Sequence, residues 1–137
     1  GNYHVALRHR NHLGVMTSSS RTLSVNSSAV QVNFFESGSG VYGTNARVQR
    51  GTVHCLWAGD VNFDGTAKYV GSGNDRDPVL QAIGGSTPTN TVSNVYSVAD
   101  ANMDGVIRYM GASNDRDIIL QTIGGSVPTA TRLQQLP

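Results

Sequence analysis

The chain has 137 residues, enough for one domain or a small pair of subdomains with a modest core. Only 14% of the residues are charged, 16 are Gly, and the net charge is +1. That balance excludes a disordered polyelectrolyte and points to a β-rich, loop-rich extracellular module. The one cysteine, Cys55, allows no intramolecular disulfide and no cysteine zinc frame, and no apolar run is long enough to span a bilayer.

In chain order, residues 3–9 alternate apolar and polar with period two and predict a strand. Residues 11–14 (Asn-His-Leu-Gly) signal a turn, after which 15–17 pair back as a second strand. Residues 18–20 read as a loop. Residues 23–25 and 30–34 predict two further strands joined by a turn over 26–28, and 36–40 predict a Gly/Ser turn. Residues 51–57 predict a last strand, with Cys55 and Trp57 buried in it. Residues 1–58 are therefore expected to form an antiparallel, β-sandwich-like unit. A chain that enters a strand at its first residues is expected to be a piece of a longer secreted polypeptide, with further domains upstream.

Residues 59–137 differ in kind. Residues 60–86 and 100–126 are identical at sixteen of 27 aligned positions, so they form an internal repeat. Each copy runs acidic loop, tyrosine (Tyr69 or Tyr109), Gly-rich turn, short helix, Gly-Gly. The helices are predicted over 75–83 and 115–123. Asn74 or Asp77 would cap the first, and Gly84 and Gly124 would end the two. Val79, Leu80 and Ile83, matched by Ile119, Leu120 and Ile123, give each helix one apolar face to set against its twin. The fold class expected is mainly β, with a C-terminal pair of EF-hand-like calcium loop–short helix repeats.

Eight of the nine acidic residues fall in the two repeats, in matching registers. Like charges repel, so such clusters call for a cation, and hard oxygen donors select Ca²⁺. Asp60, Asn62 and Asp64 fit positions 1, 3 and 5 of an EF-hand loop. Gly65 fits the sharp turn at position 6, and Thr66 offers the next carbonyl. The residue expected to close a standard loop is Gly71, which has no carboxylate. A loop extended by six residues restores the pattern. Asp77 then closes it, with Asp75 as the alternative. The second copy uses Asp100, Asn102, Asp104, the Val106 carbonyl and Asp117, with Asp115 as the alternative. Two Ca²⁺ sites are expected, structural rather than sensing, because helices of about two turns expose little groove on binding. Arg76 and Arg116 are read as charge balance within the loops.

The paired DVNFDG and DANMDG segments before apolar helices resemble the duplicated calcium loops of dockerin modules, from which the six-residue insertion and short helices depart. The likeness implies EF-hand-like metal binding and, in that family, assembly through a protein partner. Residues 3–16, residues 56–62 and the two Asn-Asp-Arg-Asp…Ile-Gly-Gly-Ser units resemble a C-terminal module of large secreted or surface proteins of Bacteroidetes, labelled adhesin- or haemagglutinin-like. That resemblance implies secretion or display at the cell surface and an adhesive role.

No catalytic activity is expected. His4, His9 and His12 lie near one strand end, but no GxSxG, HExxH or CxxC frame accompanies them. With eight Asp assigned to calcium, Glu36 is the one remaining carboxylate. His9 to His12 are read as a solvated strand end. Five dispersed Arg in the first half do not make a nucleic-acid surface. The partner classes left are an extracellular glycan or a surface protein. Carbohydrate binding is the alternative function, through exposed aromatics. Tyr42 is the best such candidate, since Trp57, Tyr69 and Tyr109 read as packing residues.

Overall fold

The computed structural model describes residues 1–26 and 28–137. Strands dominate, and all are short. β1 (Asn2–Tyr3) pairs with β4 (Arg21–Thr22), and β2 (Ala6–His9) pairs with β3 (His12–Met16). β5 (Arg47–Arg50) pairs with β6 (Val53–Leu56). All pairings are antiparallel. Among the described residues every sheet is two-stranded. The first segment is thus a set of ribbons stitched by isolated bridges, His12 to Ala58 and Thr17 to Val41, where two broad sheets were expected.

The strands expected over 23–25 and 30–34 do not form. Leu23, Val25 and Val30 are exposed; Val32 and Phe34 are half-buried beside Leu7 and Leu56, but no backbone ladder pairs with either segment. Ser27, at the centre of the turn expected between them, lies outside the described residues. Arg47 does the tying in place of a strand ladder. Its guanidinium donates to the carbonyls of Phe34, Glu36 and Ser39, which holds the loop against β5. Cys55 is exposed, not buried, because the side chains of β6 alternate and its own points outward.

The repeats follow the expected order more closely. β7 (Thr66–Lys68) leads to α1 (Arg76–Ala82), and β8 (Thr91–Ser93) follows. β9 (Val106–Arg108) leads to α2 (Asp115–Thr122), and β10 (Thr131–Leu133) follows. β8 pairs with β9, while β10 returns to pair with β7. Each trailing strand therefore completes the leading strand of the other repeat. Val79, Ile83 and Ile119 are buried as the helix periodicity requires, in a core shared with Val61, Ala99, Ala101 and Ile107. Tyr69 and Tyr109 pack against that core. Gly59 precedes the first loop with φ +103, and a Cβ there would lie 3.1 Å from Ile119 Cα, so both backbone and space call for glycine.

The boundary expected after residue 58 is bridged. Leu13 of β3 is buried with Ala67 and Ile123 of the repeats, and Thr122 Oγ1 donates to the Ala58 carbonyl at 2.6 Å. The central link is Asn11, which is fully buried. Its carbonyl accepts the N–H groups of Gly59 (2.8 Å) and Asp60 (3.2 Å) at the head of the first loop. Its Nδ2 donates to the carbonyls of Val98 (3.0 Å) and Asp100 (2.7 Å) at the head of the second.

That use of Nδ2 leaves Asn11 Oδ1 as the acceptor facing His12 Nδ1 at 2.8 Å, so His12 carries its proton on Nδ1. His9 Nδ1 lies 2.9 Å from the same atom and the two rings meet edge to face. Residues 9–12 are therefore a packed polar network and not the solvated strand end expected. Burial, with the neighbouring His9 and Arg10 charges adding, lowers the His12 pKa to about 4. The unfolded chain thus binds the proton more readily than the fold does. The resulting stability is complete above about pH 6.5 and is lost as pH falls toward about 4, to the extent of up to about 3 kcal/mol. Over the same range Asp75, whose carboxyl burial raises to about 7, adds stability as pH falls, so the His12 contribution is read from urea titrations between pH 7 and 4 as the difference between the unaltered protein and a His12→Gln variant. That variant keeps a donor for Asn11 and is expected to lack the His12 decline.

Candidate metal centre

The two acidic loops have the same backbone. Asn62 Oδ1 accepts the Asp64 N–H and Asp64 Oδ1 accepts the Thr66 N–H, each at 2.8–2.9 Å. Asn102 and Asp104 repeat both bonds. Gly65 and Gly105 have φ +84 and +82, as the sharp turn at position 6 requires. Phe63 and Met103 also adopt positive φ, +60 and +62, and both are exposed. A bulky side chain in that region is uncommon, so its recurrence marks a backbone path imposed by the loop. Asn62 Nδ2 also donates to the Gly73 carbonyl and Asn102 Nδ2 to that of Ser113, which ties the front of each loop to its inserted part.

The paired acids at the end of each loop have divergent environments. Asp75 is fully buried. Its Oδ1 accepts the N–H groups of Val61 (2.6 Å) and Asn62 (3.2 Å), and its Oδ2 that of Lys68 (2.7 Å). Asp115 does the same for Ala101, Asn102 and Arg108. Each is a clamp that fastens the start of the loop to the strand leaving it. Burial raises both carboxyls, Asp75 to about 7, against the three N–H groups, which favour the charged form.

Asp77 and Asp117 are instead exposed. Asn114 is the N-cap of α2 and its Oδ1 accepts the Asp117 N–H at 3.1 Å; Asn74, one residue ahead of the Asp75 N-cap of α1, makes the same bond to the Asp77 N–H at 2.9 Å, so each Asn sets the following acid on the first turn. In the second loop Asn102, Asp104, Asn114 and Asp117 line one open hollow of about 400 Å³, and neither Asp100 nor Asp115 is among its walls. The sequence could not separate the two acids of each motif. The helix start does, turning the first inward and the second outward.

Asp60 is 1% exposed. Its Oδ2 accepts the Gly65 N–H at 3.1 Å, while Oδ1, equally buried, has no hydrogen-bond partner. Burial, joined by the Asp64 charge, pushes its carboxyl above the ordinary range, against N–H groups of Gly65, Asp64 and Phe63. A buried carboxylate oxygen that has N–H groups nearby but receives no formed hydrogen bond is costly unless a cation completes its surroundings. Among the described residues no three His, Cys, Asp or Glu side chains converge into a cation cage by themselves. The donors in each loop are of mixed kind, carboxylates with Asn amides and backbone carbonyls. Thr66 and Val106, expected as carbonyl donors, open β7 and β9.

Arg76 and Arg116 make no ion pair within 4.0 Å among the described residues. Their guanidinium groups lie 5.1 Å and 4.6 Å from the ring centroids of Tyr69 and Tyr109. Cation–π packing thus explains both members of the Tyr–Arg pair in each repeat. Comparison of the chain with protein-family models, with curated proteins and with solved structures finds no match in any of the three.

Proposed function

We propose that the chain is a non-catalytic, calcium-stabilised interaction module of a secreted protein, holding one Ca²⁺ in each repeat. The observation that carries this reading is the unpartnered, buried Oδ1 of Asp60 at position 1 of a loop whose backbone is duplicated forty residues on. In the first loop Asp60, Asn62, Asp64, the Thr66 carbonyl and Asp77 are the donors; in the second, Asp100, Asn102, Asp104, the Val106 carbonyl and Asp117. Asp77 and Asp117 take the closing role because they are exposed, whereas both oxygens of Asp75 and of Asp115 already receive backbone N–H groups. When bound, Ca²⁺ supplies charge compensation and links the front of each loop to its helix.

The metal so placed has a structural role. Each loop is joined through Asn11 to the β3 hairpin, so fixing the loops also fixes the first half of the chain. The surface held in place is the binding surface, for which a glycan or a cell-surface protein is the partner class. Tyr3, Tyr42 and Tyr96, 56%, 43% and 83% exposed, are the tyrosines offered to such a partner. Calorimetric titration is expected to give two Ca²⁺ per chain, with Asp64→Ala and Asp104→Ala each removing one. A stoichiometry below two for the unaltered protein counts against the reading.

A further inference from the structure

Resting on the calcium reading above, we infer that the two loops are unequal sites: the first binds calcium more tightly, and Arg10 sets the difference by competing for Asp100. The loops match in backbone but not in the cations that face them. Among the described residues two ion pairs lie within 4.0 Å, and both are in the second loop. Arg10 Nη2 is 3.7 Å from Asp100 Oδ2, and Arg108 Nη1 is 4.0 Å from Asp104 Oδ2.

The equivalent acids of the first loop have no such neighbour. Lys68 directs its Nζ to the Ser72 carbonyl at 2.6 Å and Arg108 its Nη1 to the equivalent Ala112 carbonyl at 3.1 Å, so these two cations are held alike and Arg10 is the one without a counterpart among the ion pairs of the first loop. Arg8 lies over the Phe63 ring, 5.9 Å from its centroid. The difference extends to individual oxygens. Asp100 Oδ1 accepts the Asp104 N–H at 3.1 Å, and its Oδ2 accepts the Gly105 N–H at 3.1 Å beside Arg10. Asp60 has the Gly65 N–H on Oδ2 and nothing on Oδ1.

Arg10 is well placed to act as a standing competitor. Its Nε donates to the Ser97 carbonyl at 2.9 Å, and its guanidinium stacks 3.8 Å from the Tyr96 ring centroid. These contacts hold the charge beside Asp100 whether or not a metal arrives. Asp100 is 2% exposed, so the interaction is weakly screened, and a divalent ion entering the second loop must do so against it.

The test uses single-site proteins. Asp104→Ala leaves the first loop and Asp64→Ala leaves the second. Calcium titration in low-salt buffer is expected to show the first loop binding roughly tenfold more tightly, in keeping with one nearby partly buried unit charge. Adding Arg10→Gln to the Asp64→Ala protein is expected to strengthen its calcium binding by roughly tenfold, while the same change leaves the Asp104→Ala protein unaltered. Arg10→Lys, which keeps the charge, is expected to retain most of the inequality. Equal affinities in the two single-site proteins overturn the inference, as does an Arg10→Gln effect of the same size in both. The comparison of the two aspartate variants stands even if Arg10→Gln fails to fold. Absence of calcium binding in the unaltered protein overturns instead the reading on which the inference rests, so the two failures are distinct.

Discussion

Asp75→Ala is expected to destabilise the protein by about 3–5 kcal/mol, in calcium and in EDTA alike, and Asp115→Ala by a similar amount. Each of these carboxylates is fully buried and accepts three backbone N–H groups. Removing one leaves the three donors without an acceptor, and the Val61 or Ala101 N–H is too deeply buried for water to replace it. Asp77→Ala is the contrasting variant. Its carboxylate is exposed and accepts from the Asn74 side chain, so in EDTA its cost is expected to stay below about 1 kcal/mol. In calcium the cost rises by whatever the first site contributes. Thermal melts of the variants under both conditions make the comparison. Equal losses for Asp75→Ala and Asp77→Ala in EDTA would show that the two acids do not have the separate roles assigned to them.

The second large effect concerns the metal itself. A ligand that binds only the folded state stabilises it by about 2.7 kcal/mol when present at about one hundred times its Kd, so two such sites together contribute about 5 kcal/mol. For a chain of 137 residues that corresponds to a shift in Tm of roughly 15 °C. Adding excess EDTA to protein in calcium is expected to lower Tm by that order, and restoring calcium to recover it. Magnesium at the same concentration is expected to recover much less, since it retains its water and demands a stricter octahedron. An unchanged melting curve in EDTA would remove the stabilising role.

How much of this was legible in the sequence differs between the two halves for a physical reason. The helices predicted over 75–83 and 115–123 form as Arg76–Ala82 and Asp115–Thr122. Their signals are local: an apolar face at helical spacing, an Asn cap, a Gly-Gly end. The strands are two to five residues long, too short for period two to be distinctive, and their partners lie far off in the chain. Residues 30–34 have the alternation but no paired strand, Phe34 being held by the Arg47 side chain instead, and so are not a strand. Within the candidate site, spacing alone proposes the residues at positions 1, 3 and 5, and the structure gives both loops the same Asn–Asp turn there. The choice between Asp75 and Asp77 depends on which acid the helix start turns inward, and spacing does not carry that. Asn11 was unreadable as a link between loops, because its partners Asp60 and Asp100 are 49 and 89 residues away.

The pairing of β7 with β10 and of β9 with β8 bears on how such a fold can arise. A lone repeat, from its leading strand through its trailing one, would hold two strands with no partner. Two separate copies would supply each other by exchanging trailing strands, as a two-fold homodimer does. In this chain one polypeptide joins the halves, and the exchange becomes internal. Residues 131–133 are then the counterpart that residues 66–68 would otherwise have to find on another molecule. The strand that leaves the first acidic loop consequently has no partner until residues 131–133 have been made.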